Sequence, residues 1–240
     1  GGYMTMTTDD AREYAYPDGT GFWANSMEDH ARENLRKFNH NWERRAGIGR
    51  DSISVGGAKI IFADSTSHGR CDVEVARTTG SVDGARLPKQ SFFALAVARS
   101  LEPRVHILGH WNYEPGTTRD VYVVASQHCE SVQLTTHEPD GTLIHDLGVS
   151  STRGGNFFEF EFAGVEWQPG SIRATCRVGG NVEAEQEKVT AGEPVAVRVT
   201  PTVGPEGFIA DGSDIAWFDV EVVDSEGRRC PTATHEGHFA

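Results

Sequence analysis

The residues able to do chemistry fall into a few groups. Glu13 stands in Arg12-Glu13-Tyr14-Ala15-Tyr16-Pro17, at what reads as the carboxyl end of a strand ahead of a glycine-bearing loop. A carboxylate there can act as nucleophile or general base, and the carboxyl ends of strands carry the chemistry of β/α barrels. From spacing and composition alone it reads first as a solvated loop glutamate. Asp64 and His68 hold the equivalent place after the next apolar run. They can bind hydroxyls or tune a neighbouring carboxylate, or simply cap a polar turn. Arg70 and Glu74 read as a surface pair, worth about 0–1 kcal/mol. His106, His110 and Trp111 read as core or interface packing, because nothing nearby completes a metal ligand set. His235 and His238 sit at the fraying end of the sequence. No G-x-G-x-x-G opens a helix after a strand, and no P-loop is present.

The elements that must position these residues change in character near residue 104. Ahead of it, helix and strand signals alternate. Ala31, Leu35, Phe38 and Trp42 form one apolar stripe at helical spacing, with Asn25 or Ser26 as cap and Glu28 and Asp29 in the first turn. Ala58–Ala63 reads as a strand buried on both faces, and Pro88 opens a second helix through Phe92, Phe93, Leu95, Ala96 and Val97. With a strand near residues 10–15, the order is strand, helix, strand, helix. After residue 104 only short strands follow: Val105–His110, Asp120–Ala125, Ser131–Thr135, Phe157–Phe162, Ser171–Val178, Val195–Thr200 and Ala216–Val223. Ile172, Ala174, Cys176 and Val178 alternate with Arg173, Thr175 and Arg177, giving one dry and one wet face. Pro139-Asp140-Gly141 reads as a hairpin turn, Glu183-Ala184-Glu185-Gln186-Glu187 as a solvated strand face, and Thr200-Pro201 with Gly204-Pro205 as a linker.

Composition sets limits. Among 240 residues, 22 Lys and Arg stand against 35 Asp and Glu, a formal charge of −13, which argues against a nucleic-acid surface. No apolar run approaches the roughly 20 residues of a membrane helix. The opening Gly1-Gly2-Tyr3-Met4 does not read as a signal peptide, and no compartment follows from it. Cys71, Cys129, Cys176 and Cys230 are too scattered for a zinc knuckle. They are expected to be free buried thiols rather than two disulfides.

Read together, these residues resemble glycoside hydrolase family 2, of the β-galactosidase type. Arg12-Glu13-Tyr14-Ala15 is similar to the family's E-Y-A nucleophile signature at the end of the seventh barrel strand. The run from Gly56-Gly57-Ala58 through Phe62-Ala63-Asp64-Ser65-Thr66-Ser67-His68-Gly69-Arg70 resembles the eighth strand and its loop. Gly80-Ser81-Val82-Asp83-Gly84-Ala85-Arg86-Leu87-Pro88-Lys89 resembles the start of the last barrel helix. Val105-His106-Ile107-Leu108-Gly109-His110-Trp111-Asn112-Tyr113 resembles the entry into an immunoglobulin-like domain. Ala210-Asp211-Gly212-Ser213-Asp214-Ile215-Ala216, with Asp224, Gly227 and Pro231, resembles the opening of a further sandwich. The pieces follow the family's order along nearly the whole chain.

The resemblance implies a multidomain chain: the C-terminal portion of a TIM (β/α)8 barrel over 1–103, an immunoglobulin-like β-sandwich over 104–200, and the start of a second β-sandwich over 201–240. It implies a retaining β-glycosidase with Glu13 as nucleophile and Tyr14, Asp64, His68 and Arg70 beside the sugar. No cofactor or metal is implied. The expected partners are a β-linked carbohydrate and the rest of the barrel, with no nucleic acid and no membrane. The family's acid/base glutamate, in an Asn-Glu pair, has no counterpart here, and Phe62-Ala63-Asp64 stands where an aromatic platform is usual. The chain alone is therefore expected to be an inactive piece of a longer enzyme. The alternative is a non-catalytic sandwich module that binds carbohydrate or a partner domain. On this reading residues 104–200 fold independently, and 1–103 do not.

Overall fold

The computed structural model describes residues 4–6, 22–24, 27–45, 62–66, 76–77, 80–151 and 158–234. The expected strand near 10–15, the caps Asn25 and Ser26, and residues 58–61 lie outside them.

In the first part, β1 (Met4–Met6) pairs parallel with β2 (Phe22–Ala24), and α1 (Met27–Arg45) follows directly. Ala31 and Leu35 of the expected stripe are fully buried, and Phe38 packs beside them. β3 (Ser65–Thr66) pairs antiparallel with β4 (Ala76–Arg77). α2 (Gln90–Ala98) begins two residues after Pro88. Its buried Ala94, Val97 and Ala98 meet Ala31 and Leu35 of α1.

The second part is a sandwich of two antiparallel sheets. One has the order β5 (Val105–Ile107), β6 (Thr118–Ala125), β9 (Glu159–Glu166). The other has the order β11 (Asn181–Val189), β10 (Ser171–Val178), β7 (Ser131–His137), β8 (Leu143–Ser150). The turn at Pro139-Asp140-Gly141 joins β7 to β8, with Gly141 N–H donating to Glu138 O at 2.9 Å. Val121, Val123, Ala125, Phe160 and Phe162 from one sheet pack against Val132, Leu134, Ile172, Ala174 and Cys176 from the other. On the outer face of β10, Ser171 and Arg173 reach Glu187, and Thr175 reaches Glu185. The acidic run of β11 thus answers hydroxyls and a guanidinium across the strand pair.

Cys129 and Cys176 form a disulfide across this core, with Cα atoms 5.5 Å apart, which corrects the expectation of free thiols for these two. Their 47-residue separation carries no local signal, and only the closure of the sandwich brings them together. Cys230 is free and buried, and Cys71 lies outside the described residues.

The three-stranded sheet is covered on both faces. Strand alternation sends Val121, Val123 and Ala125 inward, while Tyr122 and Val124 point the other way. There, with Leu108 and Phe158, they meet α1 and α2. The two parts therefore share a second core.

The strand expected over Val195–Thr200 is β12 (Ala196–Thr202), and among the described residues it pairs only with β13 (Trp217–Val223). Thr200-Pro201 is thus strand, not linker. Asp224 ties this ribbon to the chain just after β11 by accepting from Gly192 N–H at 2.8 Å, and within its own turn it accepts from Arg228 Nε at 2.8 Å. The Gly192 bond, and then Arg228, hold its carboxyl below the ordinary aspartate value against its burial.

Candidate active site

Of the five residues singled out for the sugar site, the described part places Asp64. Glu13, Tyr14, His68 and Arg70 lie outside it, as do His235 and His238.

Asp64 follows directly on Phe62 and Ala63. Phe62 O accepts from Ser81 N–H at 2.8 Å and Val82 N–H at 3.0 Å, and Asp64 N–H donates to Val82 O at 3.0 Å. Ala63 and Val82 form a parallel bridge. This brings Gly80 against the backbone so closely that a Cβ there would collide with Ala63 C and Asp64 N, so the position requires glycine. The Asp64 carboxylate accepts from Gly80 N–H at 2.8 Å and lies 2.6 Å from Lys89 Nζ through each oxygen. Lys89 is buried and is the N-cap residue of α2. The sequence leaves Asp64 to bind a hydroxyl, tune a neighbouring carboxylate or cap a polar turn; here both its oxygens engage the protein. Sequence reading missed Lys89 and Gly80. The available signal was a lysine at a helix start, where Ser, Thr, Asp or Asn is usual.

A second polar group joins α1 and α2 to the sandwich. Arg32 makes a two-pronged pair with the buried Glu159, at 2.9 and 3.1 Å, and lies 3.6 Å over the Tyr122 ring. Glu28 pairs with Arg119 at 3.0 Å, and Arg119 also donates to the Tyr113 hydroxyl. Lys188 Nζ donates to Gly109 O. Gly109 has φ +83°, and a Cβ there would strike the Glu28 carboxylate. Burial lowers Lys188 to about 8, against the pull of Glu28. Burial pushes the Tyr113 hydroxyl up to about 12.

His106 lies between two glutamines. Its Nε2 is 2.9 Å from Gln90 Oε1 and its Nδ1 is 3.0 Å from Gln186 Nε2. Gln90 Oε1 also accepts from Gly109 N–H, and Gln186 Oε1 accepts from Ile107 N–H at 2.6 Å. The amide oxygens are thereby assigned, and the histidine is neutral with its proton on Nε2. Burial, then Lys188, lowers it from 6.5 to about 3. His110 accepts from Asn112 N–H and stacks on Tyr113 at 4.5 Å, and burial lowers its pKa too. Trp111 is in the sandwich core. The packing roles read from the sequence fit these positions.

No family model matches the chain. Individual proteins do. It is 42% identical over 199 residues to a beta-glucuronidase of Formosa agariphila, a match covering 83% of this chain and 19% of that protein. It is 29% identical over 160 residues to the beta-galactosidase BoGH2A of Bacteroides ovatus, covering 67% of this chain and 18% of that one. A solved beta-glucuronidase from glycoside hydrolase family 2 superposes with TM-score 0.72 at 40% identity, over 92% of this chain and 22% of that chain. The chain is glycoside hydrolase family 2 sequence. It spans about a fifth of the length of the curated relatives it matches. A beta-glycosidase from Bacteroides vulgatus, at 22% identity and TM-score 0.52, shares the fold. In this family 2 chain no described helix is long and apolar enough to cross a membrane.

Proposed function

We propose that this chain is part of a retaining β-glycosidase that acts on β-glucuronides. The 42% identity to a protein named beta-glucuronidase carries this reading. It ranks glucuronides ahead of the galactosides suggested by the sequence resemblance and by the 29% relative. Residues 1–103 are the end of the catalytic barrel. The parallel pairing of β1 and β2 ahead of a helix supports this, since parallel strands belong to β/α units. Residues 104–200 hold the sandwich and 201–240 begin a second one, with the boundary drawn back to about residue 195, because β12 from Ala196 pairs with β13 apart from the first sandwich.

In the proposed mechanism the Glu13 carboxylate attacks the anomeric carbon, and the leaving oxygen takes a proton from a second glutamate elsewhere in the longer protein. That glutamate then removes a proton from water, which attacks the same carbon and releases Glu13. The two carboxyls of such a pair stand about 5–5.5 Å apart. Tyr14, His68 and Arg70 lie beside the sugar. A glucuronide carries its own carboxylate, and the planar guanidinium of Arg70 suits it.

Glu13→Gln in the full-length protein should cut hydrolysis of aryl β-glucuronides by roughly 10³-fold or more. Near-normal turnover overturns the nucleophile assignment. Faster wild-type turnover of aryl β-galactosides than of β-glucuronides overturns the ranking of substrates.

A further inference from the structure

We infer that Lys89 and Asp64 form a positioning clamp for the segment 62–64 ahead of the proposed sugar-binding residues, so that Asp64 aligns the site rather than contacting substrate. The inference rests on the glycosidase reading above.

Lys89 is in an unfavourable place for a lysine. At a helix N-terminus the backbone dipole repels a cation, and Lys89 makes no capping hydrogen bond with its side chain. It is also buried, and an ammonium taken out of water costs several kcal/mol unless it is paired. Helix formation therefore does not explain it. Both oxygens of Asp64 lie 2.6 Å from Nζ, and the same carboxylate receives Gly80 N–H. Lys89 N–H itself donates to Ser81 O at 3.0 Å. Three stretches thus meet at one carboxylate: the segment 62–64 with its bridge at Ala63, the crossing chain at 80–82, and the start of α2. Gly80 makes the approach close, and Lys89 sets its direction from a rigid helix. In sequence, His68 and Arg70 follow Asp64 by four and six residues. On the glycosidase reading these two bind the sugar, so the clamp acts through the chain that leads to them, and misplacement of about 1 Å at a binding group can cost 10²-fold in rate.

The test uses Lys89→Met, Lys89→Arg, Asp64→Asn and the double variant Asp64→Asn/Lys89→Met in the full-length protein, with Tm, kcat and KM measured on an aryl β-glucuronide and an aryl β-galactoside. Lys89→Met should lower kcat/KM by roughly 10- to 100-fold, mostly through KM, and Lys89→Arg should restore most of it. The double variant removes both charges and should recover Tm but not KM. Recovery of KM together with Tm, or an unchanged KM in Lys89→Met, overturns the proposal. Should Lys89→Met fail to fold, Asp64→Asn carries the same comparison. If the wild-type protein turns over neither glycoside, the functional reading fails, and the clamp is judged by amide hydrogen exchange over residues 62–66 and 80–82. Exchange at least tenfold faster in Lys89→Met but not in Lys89→Arg supports it, and equal exchange in both overturns it.

Discussion

Two β-structures in this chain share a sequence pattern and differ in what covers them. On β6, Val121, Val123 and Ala125 alternate with Tyr122 and Val124, which face α1 and α2, and Val123 is 0% exposed. On the ribbon, Val197, Val199 and Pro201 stand opposite Val222, Val220 and Phe218, so one face is apolar throughout. The other face carries Arg198 opposite Glu221, paired at 2.6 Å. Yet Val199 is 52% and Phe218 61% exposed. The alternation states which face seeks burial; a covering layer has to supply it. β6 has two covering layers, the four-stranded sheet and the α1/α2 pair. Among the described residues, the ribbon's apolar face has none over Val197, Val199, Phe218 and Val220.

The largest effect should come from stripping one layer off the covered sheet. The sequence alone makes 104–200 an independent unit, but Leu108, Val124 and Phe158 are buried against α1 and α2, and Glu159 is paired with Arg32. Excised at residue 104, the sandwich should lose about 5–9 kcal/mol from those three side chains, comparable to the whole stability of a domain. A two-state denaturant melt of the excised segment matching that of the full chain would break the contrast.

Acid should open the same joint. His106 stays neutral in the folded chain down to about 3, while an unfolded histidine takes a proton near 6.5. Between those values the unfolded state binds more protons, so stability rises with pH across that window and is lost as pH falls through it. The loss amounts to about 5 kcal/mol at most. His106→Gln should flatten that part of a Tm-versus-pH curve. Next comes the disulfide: by chain entropy, its 47-residue loop is worth about 4 kcal/mol. Cys129→Ala/Cys176→Ala should shift the urea midpoint accordingly. The smallest effect sharpens the comparison most. Val123→Ala should cost about 2 kcal/mol, and Val199→Ala under about 0.5 kcal/mol in this chain. Equal costs would mean that the ribbon face is covered after all.

Legibility followed the same divide. Ser171–Val178 reads true from the sequence to the residue, because one face is dry and one wet. β8 was missed because Leu143–Ser150 is an edge strand with little burial on either face and register irregularities against β7, so no period shows. The joint residues were illegible for another reason. Glu28 lies 91 residues from Arg119, Arg32 lies 127 from Glu159, and Asp64 lies 25 from Lys89. Each looks like an ordinary surface charge until its partner arrives. Of the proposed sugar site, the motif around Glu13 was legible only as a resemblance, and the occupation of Asp64 by Lys89 was not legible at all.

By itself the sequence determined the helices, most strands and the glycosidase kinship, because hydrophobic period and motif order are written in neighbouring residues. Only the tertiary structure decided which strand faces are covered, which cysteines join, and which charges are spent on holding the protein together. Those choices depend on distances between residues far apart in the chain, and burial gives a charge or a thiol its partner only after the layers have closed.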